Sequence, residues 1–289
     1  MARFLQGLIL VLHLMVMGSV ITIVALTRYL PQNRRLLLQV TKESGVFELG
    51  TSAVLVLISL VCLTLLVRGR MDRTLKWALA AIGGLAFLAA MEELSWGQHL
   101  FGFQAGDFFM THNRQRETNL HNLISAELFG FLTNAGFYLL FVFGPLLLRF
   151  RSGKAGRLII PEEFIPPVPN ILIFCFAFSL QAYFRKETAA DTLALLFALG
   201  LLTVLMIRRR RYRSVLNRVH LMVIIGTTGF FMLCHPVFRY ANTQYEIREF
   251  VFAYGLLFWM FHWSGRRMEK SAGAERNTEG AGQGLERIM

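Results

Sequence analysis

Cysteine, acidic residues and charge in general are scarce in this chain. Only three of the 289 residues are cysteine, 17% are charged, and 18 acidic residues stand against 30 Lys and Arg. Cys62, Cys175 and Cys234 lie singly in separate apolar runs, which excludes a disulfide framework or a CxxC zinc ribbon. The low charge also argues against a soluble globular domain of this length.

The familiar hydrolase and transporter signatures are missing as well. The sequence contains no HExxH or HxxxH pair and no GxSxG nucleophile turn. It also shows no internal repeat of the kind on which many transporters are built. Any chemistry must therefore come from residues that tertiary structure brings together.

Apolar residues dominate what is present. Hydrophobic residues make up 55% of the chain, Phe alone numbers 26, and the mean hydropathy is +0.49. Apolar runs of membrane-spanning length recur, and the first is too long for the core of a signal peptide. We predict an all-α, polytopic transmembrane bundle in residues 1–268 and a disordered, cytoplasmic tail in 269–289. The predicted spans are 5–28, 46–67, 75–98, 126–148, 169–184, 189–207, 219–238 and 247–264.

The distribution of Lys and Arg predicts the orientation. With the N-terminus in the cytoplasm, 20 of the 30 Lys and Arg residues fall in cytoplasmic segments. Both termini are then cytoplasmic, and the loop 102–125 lies outside. This concentration of Lys and Arg at the cytoplasmic face explains the net charge of +12. We therefore expect the chain to bind membrane lipids and not nucleic acid.

One polar stretch interrupts the apolar pattern at the end of the third predicted span. Trp77 and Trp96 are spaced to lie about 28 Å apart on one helix, near the two faces of the bilayer. Glu92 and Glu93 would then lie just below the outer face, with Glu92, Ser95 and His99 on one side of the helix. Two such carboxylates are costly unless they are paired, protonated or hydrated. They therefore serve either function or the pairing that holds the bundle together.

Further polar residues are expected at the same outer end. His121 should begin the fourth helix, with Asn119 or Asn122 as its N-cap. We expect the third, fourth and seventh helices to pack together there. The other outer polar residues are Glu48, His235, Arg239, Glu246, Arg248 and Glu249. By contrast, His13, His220 and His262 are interpreted as packing or interfacial residues.

These residue types suggest specific roles. The candidate catalytic residues are Glu92, Glu93, His99 and His121, acting as general base, ligand or proton carrier. A divalent metal such as zinc could be held by His99, His121 and His235, although a hydrogen-bonded polar cluster is the simpler interpretation. Arg239 would hold an anionic headgroup, since guanidinium groups bind phosphate well. The other candidate substrate-binding residues are Trp96, Asn119 and Asn122.

The run Glu92-Glu93-Leu94-Ser95-Trp96-Gly97-Gln98, followed by Asn113-Arg114-Gln115 and Glu117-Thr118-Asn119-Leu120-His121-Asn122, resembles a family of uncharacterised bacterial polytopic membrane proteins. The resemblance covers about 30 residues. It implies a multi-pass protein of the bacterial inner membrane with an outward-facing polar site, and it implies no activity. A looser similarity to the alkaline ceramidase and adiponectin-receptor superfamily supplies no site residues, because the last helix here carries only His262.

The sequence thus favours an inner-membrane, hydrolase-type enzyme acting on a lipid or lipid-linked substrate. A proton-coupled transporter and a non-catalytic assembly protein are the alternatives. Buried acids and histidines suit proton relays. Against a transporter, most of the polar residues gather at one end.

Overall fold

The protein is described by a computed structural model that covers 45–68, 71, 73–151, 164–182, 188–212, 214–238 and 245–264, together with 7–8, 10–16, 18–19 and 22. Within these residues every regular element is helical. We number the helices α1 (10–16), α2 (Val46–Arg68), α3 (Arg73–Glu93), α4 (Gln98–Phe101), α5 (Asp107–His112), α6 (Ala126–Phe137, continued through a π-helical turn at Tyr138–Phe143 into Gly144–Arg151), α7 (Val168–Ser179), α8 (Ala189–Arg208), α9 (Val215–Phe238) and α10 (245–264).

Five helices are long and apolar enough to cross a membrane, which indicates a multi-pass membrane protein. They are Val46–Arg68, Arg73–Glu93, Glu127–Phe150, Ala189–Arg208 and Val215–Leu233. Their outward faces carry large exposed apolar side chains such as Leu60, Leu63 and Leu85. Lipid is the solvent that such faces match, since soluble monomers rarely expose large contiguous apolar patches.

The prediction of eight spans is confirmed only in part. The first predicted span, 5–28, lies largely outside the described residues. The fifth, 169–184, is realised as the 12-residue helix α7, which at about 18 Å is too short to cross a bilayer alone. The eighth corresponds to α10, whose polar start lowers its hydropathy below that of the five spanning helices.

Helices α2 and α3 form a close antiparallel pair. A Cβ atom added to Gly83 would lie 2.8 Å from the Cβ atom of Cys62, so the two helices approach as closely as a glycine allows. Short connections favour this arrangement, because neighbouring helices joined by a few residues pack side by side. The pairing sets the start of α2 beside the end of α3, where the polar stretch lies.

Helix α7 is the centre of the second half of the bundle. Its side chains are buried on every face, as expected for a helix that is apolar all round. Phe174 and Phe176 are fully buried, and Phe178 stacks on Tyr138 of α6 with ring centroids 3.7 Å apart. Helices α6, α8 and α9 pack around it. This core holds α10 in place beside α2 and α3.

Candidate functional site

Helix α3 ends earlier than the sequence predicted. It stops at Glu93, and Ser95, Trp96 and Gly97 then adopt positive φ angles of 46°, 55° and 87°. Two non-glycine residues in this region are energetically costly and persist only where the surroundings hold them. The predicted helix to residue 98 is therefore wrong, and so is the shared helical face of Glu92, Ser95 and His99.

Glu92 anchors the loop that follows. Its Oε2 atom accepts hydrogen bonds from the backbone nitrogens of Leu120, at 2.6 Å, and His121, at 3.1 Å. Its Oε1 atom accepts a hydrogen bond from Trp96 Nε1 at 2.7 Å. The Nδ1 atom of His121 lies 3.4 Å from Oε2. A carboxylate at the start of the 3-10 helix His121–Leu123 is favourable because free N–H groups point toward it.

A second contact between loop and helix end involves Ser95, Glu117 and Asn119. Ser95 Oγ donates to Glu117 Oε2 at 2.8 Å, and Asn119 Nδ2 donates to the same oxygen at 2.8 Å and to Ser95 Oγ at 3.0 Å. All three side chains are buried. Glu117 was not among the candidate site residues. Its place in the Glu117–Asn122 run, close to other polar residues, was the only sequence signal for it.

The amide of Asn113 fixes the shape of the loop. Its Nδ2 atom donates to the backbone oxygen and Oδ1 of Asn119, at 2.8 and 2.9 Å. Its Oδ1 atom accepts from the backbone nitrogens of Gln115, at 2.9 Å, and Glu117, at 3.3 Å. Side-chain amides commonly fold loops in this way, because they replace the backbone partners that a helix or sheet would provide.

The two asparagines that were predicted to bind substrate, Asn119 and Asn122, make hydrogen bonds to other residues of the loop region. Asn122 is buried and donates through Nδ2 to Gln115 Oε1. The Nδ2 atom of Asn119 already donates to Ser95 and Glu117. The sequence predicted that one of them would cap the helix that follows, but neither caps α6. The N-cap is Ser125, whose Oγ accepts from the backbone nitrogen of Leu128 at 3.2 Å.

A cluster of carboxylates lies near the end of α3. Glu93 is within electrostatic range of Glu48 at the start of α2 and of Glu246 and Glu249 at the start of α10. Glu249 is in turn within range of His121. The expected proximity of Glu48 to the end of α3 is therefore confirmed. The helices that meet here are α2, α3 and α10.

Arg248 lies buried next to this cluster. Its guanidinium NH1 donates to Asn134 Oδ1 at 3.1 Å and to Gln181 Oε1 at 2.6 Å. Asn134 Nδ2 in turn donates a hydrogen bond to Asp191 Oδ2 at 2.7 Å. The network joins α6, α8 and α10 to the chain after α7. A buried guanidinium needs such partners, since leaving its donors unpaired is costly.

Arg248 also connects this network to the carboxylate cluster. Its NH2 atom lies 3.9 Å from Glu249 Oε1, and its guanidinium lies 5.4 and 5.5 Å from the ring centroids of Tyr245 and Phe252. Arg248 and Glu249 thus form an ion pair at the long end of the distance range for such pairs. The ring contacts add a modest cation–π attraction.

Several candidate residues lie outside the described part of the chain. These are Arg239 and the side chains of His99 and His235. Of the proposed metal ligands, only the side chain of His121 is described. Among the described residues, no group of three His, Cys, Asp or Glu side chains is placed to hold a metal ion. The described part of the site is therefore a set of carboxylates with one histidine.

Comparisons with known proteins add nothing to these observations. No family model, no curated protein and no solved structure matches the chain.

Proposed function

We propose that this chain is a membrane enzyme that uses the carboxyl groups of Glu93 and Glu249, together with His121, for general acid–base chemistry on a lipid or lipid-linked substrate. The observation that supports it is the proximity of Glu93, at the end of α3, to the carboxylates of Glu48 on α2 and of Glu246 and Glu249 on α10. Carboxyl groups of different helices held near a histidine can give and take protons from a bound substrate.

In this proposal Glu92 and Glu93 have different roles. Both oxygens of Glu92 already accept N–H groups of the loop and of Trp96, so Glu92 holds the loop in place. Glu93 lies within electrostatic range of carboxylates on two other helices and is the better candidate to meet a substrate. The adjacent residues of the sequence motif thus divide into an anchor and an acid–base group.

The surface of the loop supports a substrate that lies in the membrane. Large apolar side chains are exposed on α4, α5 and the segments beside them, although the loop interior is polar. Short amphipathic segments of this kind rest in the interface between lipid headgroups and acyl chains. A lipid could therefore reach Glu93 from the side. The exposed residues are Trp96, Leu100, Phe101, Phe103, Phe108, Met110 and Leu120.

The proposal includes the bacterial inner membrane as the location, with both termini in the cytoplasm and the α4–α5 loop outside. The 20 of 30 Lys and Arg residues on the cytoplasmic side support this orientation. The resemblance of the Glu92–Gln98 and Asn113–Asn122 runs to bacterial polytopic proteins supports the location.

Lipid turnover tests the proposal directly. Purified protein is placed in vesicles of the polar lipids of the producing cells, and lipid species are followed by mass spectrometry. A new species should form with the wild type, and Glu93→Gln should lower its rate by about 100-fold or more, as expected for loss of a general acid–base group. Glu127→Gln is the matched control, because Glu127 is exposed in the first turn of α6.

The outcome separates the enzyme from a scaffold. An unchanged lipid profile with the wild-type protein would overturn the proposal that the protein is an enzyme. If Glu93→Gln then lowered only the melting temperature, the carboxylate cluster would be a packing device of an assembly protein.

A proton-coupled carrier is the second candidate. The observation that favours it is the network of the buried Arg248 and Asn134 with the half-buried Asp191, because such groups inside a membrane bundle accompany ion and proton pathways. A carrier needs polar groups beyond one end of the bundle, whereas an enzyme does not.

A further inference from the structure

Three polar side chains meet in the interior of the bundle, away from the Glu93 site. The rings of His13 on α1 and His220 on α9 have centroids 4.9 Å apart, and the ring of Tyr254 on α10 lies 6.0 Å from that of His13. His13 and His220 are fully buried, and Tyr254 is 4% exposed. Both histidines were predicted from the sequence to be packing or interfacial residues, and the group of three depends on three helices that are distant in sequence.

The polar atoms of this group have no protein partner within the described residues. Both ring nitrogens of His13, both of His220 and the hydroxyl of Tyr254 are buried without a hydrogen bond to any described residue. A buried polar atom without a hydrogen bond is costly. Buried histidines that only fill space would more economically be Phe or Leu, so five such atoms in one place indicate a further function.

The surroundings of the group are aromatic. Phe176 of α7 stacks on His13 with ring centroids 4.2 Å apart. Phe250 and Phe258 contact the ring of Tyr254 edge-on. The nearest charged residues toward the Glu93 end of α10 are Glu249 and Arg248, about 7.5 and 9 Å along the helix from Tyr254. The group is thus a polar site with apolar walls.

We propose that His13, His220 and Tyr254 form a proton-relay site through which the Glu93 carboxylate cluster exchanges protons with the opposite face of the membrane. Along α10, Tyr254 follows Glu249 by about 7.5 Å, and along α9, His220 lies about 7.5 Å from the helix start at Val215. These separations are rises along the helix axes, and in the proposed relay two or three water molecules, joined by hydrogen bonds of about 2.8 Å each, bridge them. The relay lies away from the end of the bundle at which most of the polar residues gather.

The chemical step leaves no net charge in the bundle. A neutral imidazole carries a proton on one ring nitrogen and a lone pair on the other. It accepts a proton at the bare nitrogen and releases the proton from the other nitrogen to the next group. The tautomer is inverted and is restored by a ring flip or by the reverse transfer. The Tyr254 hydroxyl donates and accepts in the same way, so it can link His13 to the Glu249 side.

Proton flux into vesicles tests the relay. The full-length protein is reconstituted into vesicles that contain a pH-sensitive dye, and a potassium diffusion potential is imposed with valinomycin. Wild-type vesicles should change their internal pH well above the rate of protein-free vesicles. Tyr254→Phe, which removes only the hydroxyl, and His220→Phe, which keeps a ring of similar size, should each lower the protein-dependent rate at least tenfold.

His112→Phe is the matched histidine control, because His112 is exposed on α5 and should keep the wild-type rate. A wild-type rate equal to that of protein-free vesicles would overturn the relay, as would unchanged flux in both Tyr254→Phe and His220→Phe. If His220→Phe does not fold, Tyr254→Phe decides alone. The readout is proton flux and not lipid turnover. Absence of flux would therefore leave the proposed enzyme activity untouched, and absence of lipid turnover would leave the proposed relay untouched.

Discussion

The Oε2 atom of Glu92 lies 2.6 Å from the backbone nitrogen of Leu120, 28 residues further along the chain. This hydrogen bond, with those to His121 and Trp96, closes the loop between α3 and α6 onto the end of α3. Both oxygens of Glu92, a candidate catalytic residue from the sequence, thus accept hydrogen bonds of this loop region, while its neighbour Glu93 lies within electrostatic range of acids on α2 and α10.

Glu92→Gln should destabilise the protein more than it affects any activity. The glutamine keeps one oxygen but replaces the other with an NH2 group, which would face N–H donors and lose their hydrogen bonds. The expected loss is about 1.5–3 kcal/mol, the range for hydrogen bonds to a charged group. Thermal unfolding in nanodiscs measures it, with Glu127→Gln as the control. A Glu92→Gln protein that melts like the wild type would contradict the anchoring role.

Ser95 and Glu117 should be energetically coupled. They share a buried hydrogen bond of 2.8 Å, and Asn119 contacts both. In a double-mutant cycle of Ser95→Ala and Glu117→Gln, the summed losses of the single variants should exceed that of the double variant by about 0.5–3 kcal/mol. Denaturant unfolding in a mild detergent provides the four free energies. Simple additivity would mean that the loop is held without this contact.

Gly97→Ala should be destabilising, and Gly130→Ala should not. Gly97 has a φ of 87°, and an added Cβ atom would lie 3.0 Å from the ring of Phe101. The expected loss is about 1–3 kcal/mol. Gly130 lies inside α6 with open space around it, so alanine there should gain about 0.5–1 kcal/mol of helix stability. A Gly97→Ala protein that melts at or above the wild-type temperature would show that the turn at Gly97 is not strained.

Arg248→Lys should destabilise the junction of α6, α8 and α10. The guanidinium NH1 reaches both Asn134 and Gln181, and a lysine ammonium lacks the fork geometry to replace it. Loss of one charged hydrogen bond predicts a decrease of about 1.5–3 kcal/mol in the free energy of unfolding. Arg218→Lys on the exposed side of α9 is the matched control. Equal melting of the two variants would argue against the network.

Reporter fusions test the proposed orientation. Alkaline phosphatase fused after residue 289 should be inactive, because both termini are expected in the cytoplasm. A fusion within the loop between α4 and α5 should be active. Activity of the C-terminal fusion would place the C-terminus outside. With a cytoplasmic N-terminus, the chain would then cross the membrane an odd number of times, and the assignment of the Glu93 end to the outer face would need revision.

Apolar run length alone determined the helical, membrane-embedded character of this protein, because hydrophobicity over about 20 consecutive residues is a local property. The ends of α2, α6 and α8 were therefore predicted to within a few residues. Gly102–Ser125 was also correctly identified as the connection that carries polar residues. The residue types that form the site, the acids beside Trp96 and the asparagines near His121, were likewise evident from their position in otherwise apolar sequence.

Tertiary structure decided which of those residues serve the fold and which face a common site. Helix α3 could continue to residue 98 by its own preferences, but the loop hydrogen bonds to Glu92 and Ser95 end it at Glu93. The meeting of Glu93 with Glu249, and of His13 with His220, depends on packing around α7. A hydrogen-bonding partner is chosen by distance in space, and no local pattern records which distant segment will supply it.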